Sequence, residues 1–173
     1  MDGRFVGFGS AAKNLVATNV QGQANVYARD TCNGAAPGCT ANTYLVSLAN
    51  DGSVANCGSP GNSGGLSMSA DGRFVAFGSI ATNLTPDDGF PACGWEDIFV
   101  RDTCFGVATG CTPSTVRVSV ANTTMPGVSA NSISVRSAIS ADGHYVVFVS
   151  AATNLVTPAT NGRALVYLAK TGF

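Results

Sequence analysis

The sequence predicts an all-β fold in which one four-stranded antiparallel unit recurs along the chain. First, the stretch that begins at Asp71 has close copies at Asp2 and Asp142, a period of about 70 residues. Second, the apolar residues within each copy alternate with a period of two, as they do in β-strands. Third, the chain has 21 glycines, and no segment shows the 3.6-residue apolar stripe of a helix.

The most similar part of the three copies is a strand that follows an Asp-Gly turn. It reads "DGRFVGFGS", "DGRFVAFGS" and "DGHYVVFVS" in chain order. In the middle copy, Phe74 and Ala76 lie on one face of the strand, and Val75 and Phe77 lie on the other. Because both faces are apolar, this strand is expected to be covered on both sides.

Three further strands complete one unit. The segments 97–103 ("DIFVRDT") and 115–121 ("TVRVSVA") are rich in β-branched and aromatic residues. The segment 134–140 ("SVRSAIS") runs into Asp142-Gly143, and Asp-Gly between two strand-like runs is a hairpin signal. Each unit is therefore predicted to contain strands a, b, c and d, with the Asp-Gly turn between a and b.

Four-stranded units that are covered on both faces are what a β-propeller requires. The coils of the rival β-solenoid are shorter and lack a repeated hairpin. The chain is therefore predicted to be a single partial β-propeller domain over residues 1–173, with a partial blade at 1–50 (b-c-d), a full blade at 60–122 (a-b-c-d) and a partial blade at 131–173 (a-b-c). Since a closed ring has about 4 to 8 blades, missing blades or self-association are needed to close this incomplete ring.

These motifs resemble those of a known family. The series "SADGRFVAFGS", "ATNL" and "DIFVRD" is similar to the WD40-like repeats of TolB-type β-propellers, in which a Ser-x-Asp-Gly-(Arg/Lys) turn joins strands a and b. The resemblance covers practically the whole chain. It implies a platform for protein–protein interaction in the bacterial cell envelope.

The six cysteines are predicted to form three disulfides. A C-x6-C loop occurs twice, in "DTCNGAAPGCT" and "DTCFGVATGCT", and neither copy has the C-x2-C spacing or the histidine partners of a zinc site. A disulfide that closes each loop is therefore preferred to a metal site or free thiols, and it indicates an oxidising compartment. The remaining two cysteines lie in loops at one end of the blades, where they can pair. The predicted pairs are Cys32–Cys39, Cys104–Cys111 and Cys57–Cys93.

The composition excludes several classes of partner. The formal net charge is −1 and the nine Lys and Arg residues are spread thinly, so no basic surface for nucleic acid is expected. No apolar run reaches the length of about 18 residues that spans a bilayer. The N-terminal residues lack the pattern of a secretory signal.

Two features that look catalytic are explained by the repeat. The "GNSGG" stretch around Ser63 resembles the nucleophile loop of chymotrypsin-like proteases, but in that family the catalytic base precedes the serine. The only histidine here, His144, follows the serine and occupies the position that Arg4 and Arg73 have in the other copies. No catalytic residue is therefore predicted.

Other repeated polar residues are expected to have structural roles. Aspartate before glycine and the asparagine of the "NL" motif both suit turns. The dipeptides Arg29-Asp30 and Arg101-Asp102, at the ends of the c strands, are expected to form local or inter-blade ion pairs. The expected turn residues are Asp2, Asp71, Asp142, Asn14, Asn83 and Asn154.

The non-repeated loop between strands b and c of the middle blade is the best candidate for a specific binding site. Departures from a repeat can add function without harming the scaffold. Its carboxylates could supply oxygen ligands to Ca²⁺, although the spacing is not that of an EF-hand, and no other cofactor is predicted. Its tryptophan could stack on a sugar or anchor a protein. The candidate ligand-binding residues are Asp87, Asp88, Trp95, Glu96 and Asp97.

The sequence therefore favours a non-catalytic β-propeller platform that binds a protein or a glycan, in a bacterial protein exported to the periplasm, the cell surface or the medium. The alternative is the propeller portion of a larger hydrolase, similar to prolyl-oligopeptidase-like peptidases, whose catalytic domain lies outside these residues. The neighbouring reading frame separates the two hypotheses. A G-x-S-x-G motif downstream favours the hydrolase, and only further "DGR" repeats favour the platform.

Overall fold

The computed structural model describes residues 3–20, 22–59, 65–86, 93–122 and 128–173. Within these ranges the protein is all-β, and its strands form three antiparallel sheets. The first sheet has the order β1 (Phe5–Ser10), β2 (Asn25–Asp30), β3 (Asn42–Leu45). The second has the order β4 (Leu66–Met68), β5 (Phe74–Ser79), β6 (Asp97–Asp102), β7 (Ser114–Arg117). The third has the order β8 (Ser134–Ile139), β9 (Tyr145–Ser150), β10 (Leu165–Lys170).

The predicted grouping of three, four and three strands is confirmed for the described residues. The strand after the second C-x6-C loop is shorter than the predicted segment 115–121, because β7 ends at Arg117. The reason is a side chain that replaces the backbone ladder: the Ser119 hydroxyl accepts the N–H of Ile98 at 2.9 Å. No helix in the described part of the chain is long and apolar enough to cross a bilayer.

Each sheet has a front face and a back face, which alternate along its strands. The front faces carry Phe5 and Gly7 in the first sheet, Phe74 and Ala76 in the second, and Tyr145 and Val147 in the third. The back faces carry Val6 and Phe8 in the first sheet, Val75 and Phe77 in the second, and Val146 and Phe148 in the third.

The front face of one sheet packs against the back face of the next. Val26 and Ala28 of the first sheet share a buried cluster with Val75 and Phe77 of the second. A second cluster joins the front face of the second sheet, including Phe74 and Ala76, to the back face of the third, including Val146, Phe148 and Tyr167. All six residues of β5 are buried. The prediction that this strand is covered on both sides is therefore confirmed.

The Asp-Gly turns receive an aromatic ring from the preceding sheet. Gly72 and Gly143 have φ angles of +76° and +78°, which glycine adopts without strain. The ring of Phe5 lies against Gly72, and the ring of Phe74 lies against Gly143, in the space that a Cβ would fill. These two glycines are therefore required both by the backbone and by the packing between sheets.

The aspartates of these turns bind their own backbone, as predicted. Asp71 accepts the N–H of Arg73 at 3.0 Å, and Asp142 accepts the N–H of His144 at 3.0 Å. The hydroxyl of Ser140 and this backbone N–H hold the pKa of Asp142 below its usual value. Asp2 lies outside the described residues.

Replacing Gly143 with alanine is expected to lower the free energy of unfolding by about 2 kcal/mol, because the new methyl group adds backbone strain and displaces Phe74. Gly52 is a matched control, since its φ is +85° and nothing lies within 4 Å of the position that a methyl group would take there. Gly52→Ala is expected to cost about 1 kcal/mol from the backbone alone. Urea unfolding measures both values, and equal losses would show that the ring contact contributes nothing.

Candidate functional site

The three predicted disulfides are all present, and they divide between the two ends of the sheets. Two of them close the C-x6-C loops beside the Asp-Gly turns, and we call this the turn end. The third joins segments at the opposite end, where the chain passes from one sheet to the next, and we call this the linker end. The bridges are Cys32–Cys39, Cys104–Cys111 and Cys57–Cys93. Three disulfides are typical of a protein that matures under oxidising conditions.

At the linker end, the Cys57–Cys93 bridge fixes the segment that leads into β6. It joins residues 36 positions apart, one in the linker before the second sheet and one just before Trp95. Cys57 is buried and belongs to the cluster between the first and second sheets. The bridge therefore connects the loop that carries the predicted binding residues to the core.

Trp95 is the most exposed aromatic side chain of the predicted site. It is 53% exposed, and it is the only tryptophan of the chain. The backbone on either side is held in place: Cys93 by its disulfide, and Glu96 by its carbonyl, which accepts the N–H of Ser134 at 2.7 Å. The indole therefore projects to solvent from a fixed backbone, and such a ring can stack on a ligand at a small entropic cost.

Asp97 is buried, and its carboxylate binds groups of its own sheet. It accepts the Ser119 hydroxyl at 2.6 Å, and it lies 3.6 Å from Nη1 of Arg117. The first sheet has the same arrangement, in which Asn25 accepts the Ser47 hydroxyl at 2.8 Å. This repetition indicates that Asp97 ties the beginning of β6 to the strand beside it.

The other predicted acidic residues differ in position. Glu96 is buried, with only 4% of the residue exposed. Asp87 and Asp88 lie outside the described residues, so Ca²⁺ binding by this loop stays a prediction. Of the five candidate ligand-binding residues, Trp95 is thus the one that the structure places at the described surface.

Asparagine pairs hold the linker end together, and sequence reasoning found only half of each pair. The Asn83 Oδ1 atom accepts the N–H of Asn56 at 2.9 Å, and Asn56 in turn binds the backbone of Thr82. Asn154 and Asn131 repeat this contact at 3.0 Å before the third sheet. The predicted turn residues Asn83 and Asn154 therefore also bind the linker in front of their own sheet.

A signal for the missed partners exists in the sequence. Asn56 and Asn131 both follow an alanine in the linkers, in "VANC" and "SANS". Asn14 is the equivalent of Asn83 in the first sheet and is exposed, with no hydrogen bond to its side chain among the described residues. The pairing therefore requires a linker in front of the sheet.

At the turn end, ion pairs form across neighbouring strands. Arg4 binds Asp30 through Nε and Nη2 at 3.3 and 3.2 Å, and Arg73 binds Asp102 in the same way at 2.9 and 2.6 Å. The hydrogen bond from Arg4 holds the pKa of Asp30 below its usual value. Burial raises the pKa of Asp102, but the bonds from Arg73 and Cys104 outweigh it, so the pKa is again lowered.

The expectation that Arg29-Asp30 and Arg101-Asp102 supply these pairs is wrong. Adjacent residues of a strand point to opposite faces, so the arginine beside each aspartate in the sequence cannot reach it. Arg101 instead donates to the Leu48 carbonyl at 3.0 Å and the Thr115 hydroxyl at 2.8 Å, which links the first and second sheets. Burial lowers the pKa of Arg101.

Two groups of potential metal ligands occur among the described residues, and both have structural partners already. Each combines an aspartate with the two cysteines of a C-x6-C loop, as Asp30 with Cys32 and Cys39, and Asp102 with Cys104 and Cys111. The sulfur atoms are in disulfides, and the carboxylates bind Arg4 and Arg73. Disulfide sulfur is not the thiolate that metals require.

The only histidine has a local partner at the turn end. Nδ1 of His144 lies 3.1 Å from the carbonyl of Phe173. Ser63 of the protease-like stretch lies outside the described residues. Compared with known proteins, the chain matches no protein-family model and no curated sequence.

Proposed function

We propose that the three sheets are consecutive blades of a β-propeller similar to the TolB type, and that this propeller is a non-catalytic binding platform. The observation that carries the platform is Trp95, an exposed ring on a backbone fixed by the Cys57–Cys93 bridge and by the buried residues that follow it. The partner is a protein or a glycan, because both present surfaces on which an indole can pack.

The recurrence of one packing arrangement supports the propeller. The first and second sheets meet front to back, and so do the second and third. The same contacts recur at both junctions, including an aromatic ring against the turn glycine, at Gly72 and at Gly143. An arrangement that repeats from sheet to sheet around an axis generates a propeller.

The distribution of polar contacts supports the linker end as the binding surface. At the turn end, Asp30 and Asp102 are neutralised by Arg4 and Arg73. At the linker end, Trp95 is 53% exposed, and it stands where the repeat is interrupted by the insertion before β6. The three disulfides support export to the periplasm, the cell surface or the medium.

Binding at Trp95 is tested by its own fluorescence, since the chain has no other tryptophan. The probes are an array of bacterial and plant glycans and a phage-displayed peptide library. A ligand from either is expected to shift the emission of Trp95 to shorter wavelength, because stacking removes water from the indole. Trp95→Ala is expected to weaken binding at least tenfold in calorimetry.

Tyr44→Ala is the matched control, because Tyr44 is also an exposed aromatic residue but contacts Phe105 at the turn end. This variant is expected to bind as the wild type does. If neither probe set yields a ligand whose binding depends on Trp95, the proposed platform at this surface is contradicted.

A further inference from the structure

The front face of the third sheet is a large apolar surface without a cover. Val166 and Leu168 are 73% and 68% exposed, and Val147 and Tyr145 of the neighbouring strand are each 40% exposed. The equivalent residues of the second sheet lie in the core between the sheets. A contiguous apolar patch that one sheet exposes and its repeat buries marks an interaction surface.

The first sheet exposes part of the surface that covers this kind of face elsewhere in the molecule. Its back face combines Val6 and Phe8 with Tyr27, and the back face of the third sheet combines Val146 and Phe148 with Tyr167. The rings stack alike, with centroids 5.6 Å apart for Phe8–Tyr27 and 5.7 Å apart for Phe148–Tyr167. The third sheet uses these residues to cover the second sheet, whereas in the first sheet Val6 is 46% exposed.

The turns show the same complementarity between the two ends of the stack. Phe5 lies against Gly72 and Phe74 lies against Gly143, but the equivalent ring of Tyr145 is 40% exposed. Gly3 has a φ of +77°, as the other turn glycines do. Among the described residues, only Asn33 comes within 4 Å of the position of a Cβ on Gly3, at 3.8 Å. The stack therefore has one ring without a turn and one turn without a ring.

We propose that the front face of the third sheet docks onto the back face of the first sheet of a second copy of this chain. In this contact Leu168 and Val166 pack against Val6 and Phe8 of the second copy, as the second sheet packs against the third. Tyr145 lies over Gly3 of the second copy, as Phe74 lies over Gly143. The contact is head-to-tail, so a twofold pair of chains forms it twice.

Two copies bring together six sheets, which falls within the range of about 4 to 8 blades of closed propellers. Closure of the ring rests on the proposed propeller, whereas the docking of the two faces does not. The docking is also independent of ligand binding at Trp95, because that residue lies on neither face. Trp95→Ala is therefore expected to leave the association of the chains unchanged, which separates this proposal from the platform.

The test is the mass of the 173-residue chain in solution, measured by light scattering and sedimentation equilibrium. The wild type is expected at twice the 17.4 kDa of one chain. Val6→Asp and Leu168→Asp are each expected to give monomers, because each places a charge in the contact. Val107→Asp is the matched control, since Val107 is 38% exposed in the second C-x6-C loop and lies on neither face. It is expected to remain dimeric.

Mixing the two variants identifies which faces meet. Val6→Asp retains an intact third sheet and Leu168→Asp retains an intact first sheet, so an equimolar mixture is expected to regain pairs. Pairing of like faces would give no recovery. A monomeric wild type at all concentrations, or two variants that fail to associate on mixing, would overturn the proposal. Unfolding midpoints close to the wild-type value check that the exposed substitutions leave each chain folded.

Discussion

Replacing Asp97 with asparagine is expected to lower the free energy of unfolding by about 3 kcal/mol, because buried Arg117 then has one anionic partner fewer. The side chains of Arg117 and Asp97 are 0% and 4% exposed, so water does not compensate for the lost charge. Asparagine retains an oxygen that can accept the Ser119 hydroxyl. The loss therefore reports on the charge rather than on the hydrogen bond.

The first sheet provides the compensating change. It has Asn25 and Leu45 where the second sheet has Asp97 and Arg117. The double variant Asp97→Asn/Arg117→Leu copies this neutral pair and is expected to lie within about 1 kcal/mol of the wild type, since a buried ion pair can be replaced by apolar packing. A complete double-mutant cycle in urea measures the coupling energy. Additive losses would contradict the coupling of the two residues.

Removing the Cys57–Cys93 bridge by alanine at both positions is expected to lower the free energy of unfolding by about 4 kcal/mol. In the chain-entropy description, a bridge restricts the unfolded chain more when it joins residues further apart. This bridge spans 36 positions, whereas the Cys32–Cys39 bridge spans seven. The same substitutions at Cys32 and Cys39 are expected to cost only about 2 kcal/mol.

Urea unfolding without reductant compares the two double variants. A red shift of the Trp95 emission is expected only without the Cys57–Cys93 bridge, because the segment beside the indole is then released from the core. Equal losses of stability in the two variants, with unchanged fluorescence, would contradict the anchoring of the linker end by this bridge.

The strands and disulfides could be predicted because their signals are local and repeated. Alternation over residues 73–79 predicted β5, which the structure places at Phe74–Ser79. Asp-Gly predicted the turn before it, and two C-x6-C loops predicted the bridges at the turn end. The pairing of Cys57 with Cys93 followed from strand direction, since their loops emerge at one end of the sheets.

Contacts between strands were harder to predict, because they depend on register. Asp102 lies opposite Phe74 in the ladder, which brings Arg73 of that strand to the carboxylate. Sequence proximity favoured Arg101 instead, although alternation along a strand already excludes this pair. The partners Asn56 and Asn131 were missed for a related reason, since nothing local connects a linker to the asparagine of the next turn.

The candidate site was predicted only in outline. Interruption of the repeat indicated the right loop, and Trp95 is exposed there as binding requires. Asp97 was chosen for its charge, but it occupies the position that Asn25 has in the first sheet, and both accept a serine hydroxyl. Alignment of the copies would have indicated this structural role, whereas burial of Glu96 depends on packing between sheets and leaves no mark in the local pattern.

The front-to-back contact between sheets also bears on how such a gene can change length. The bonds from Ser137 to the Gly65 carbonyl and from Ile139 N–H to the Ser67 hydroxyl both span 72 positions. Recombination between misaligned copies adds or removes DNA in steps of this repeat. Each added unit meets a back face and a front face that it already fits, so duplication creates a folded neighbour at once and leaves the interior contacts of the older units intact.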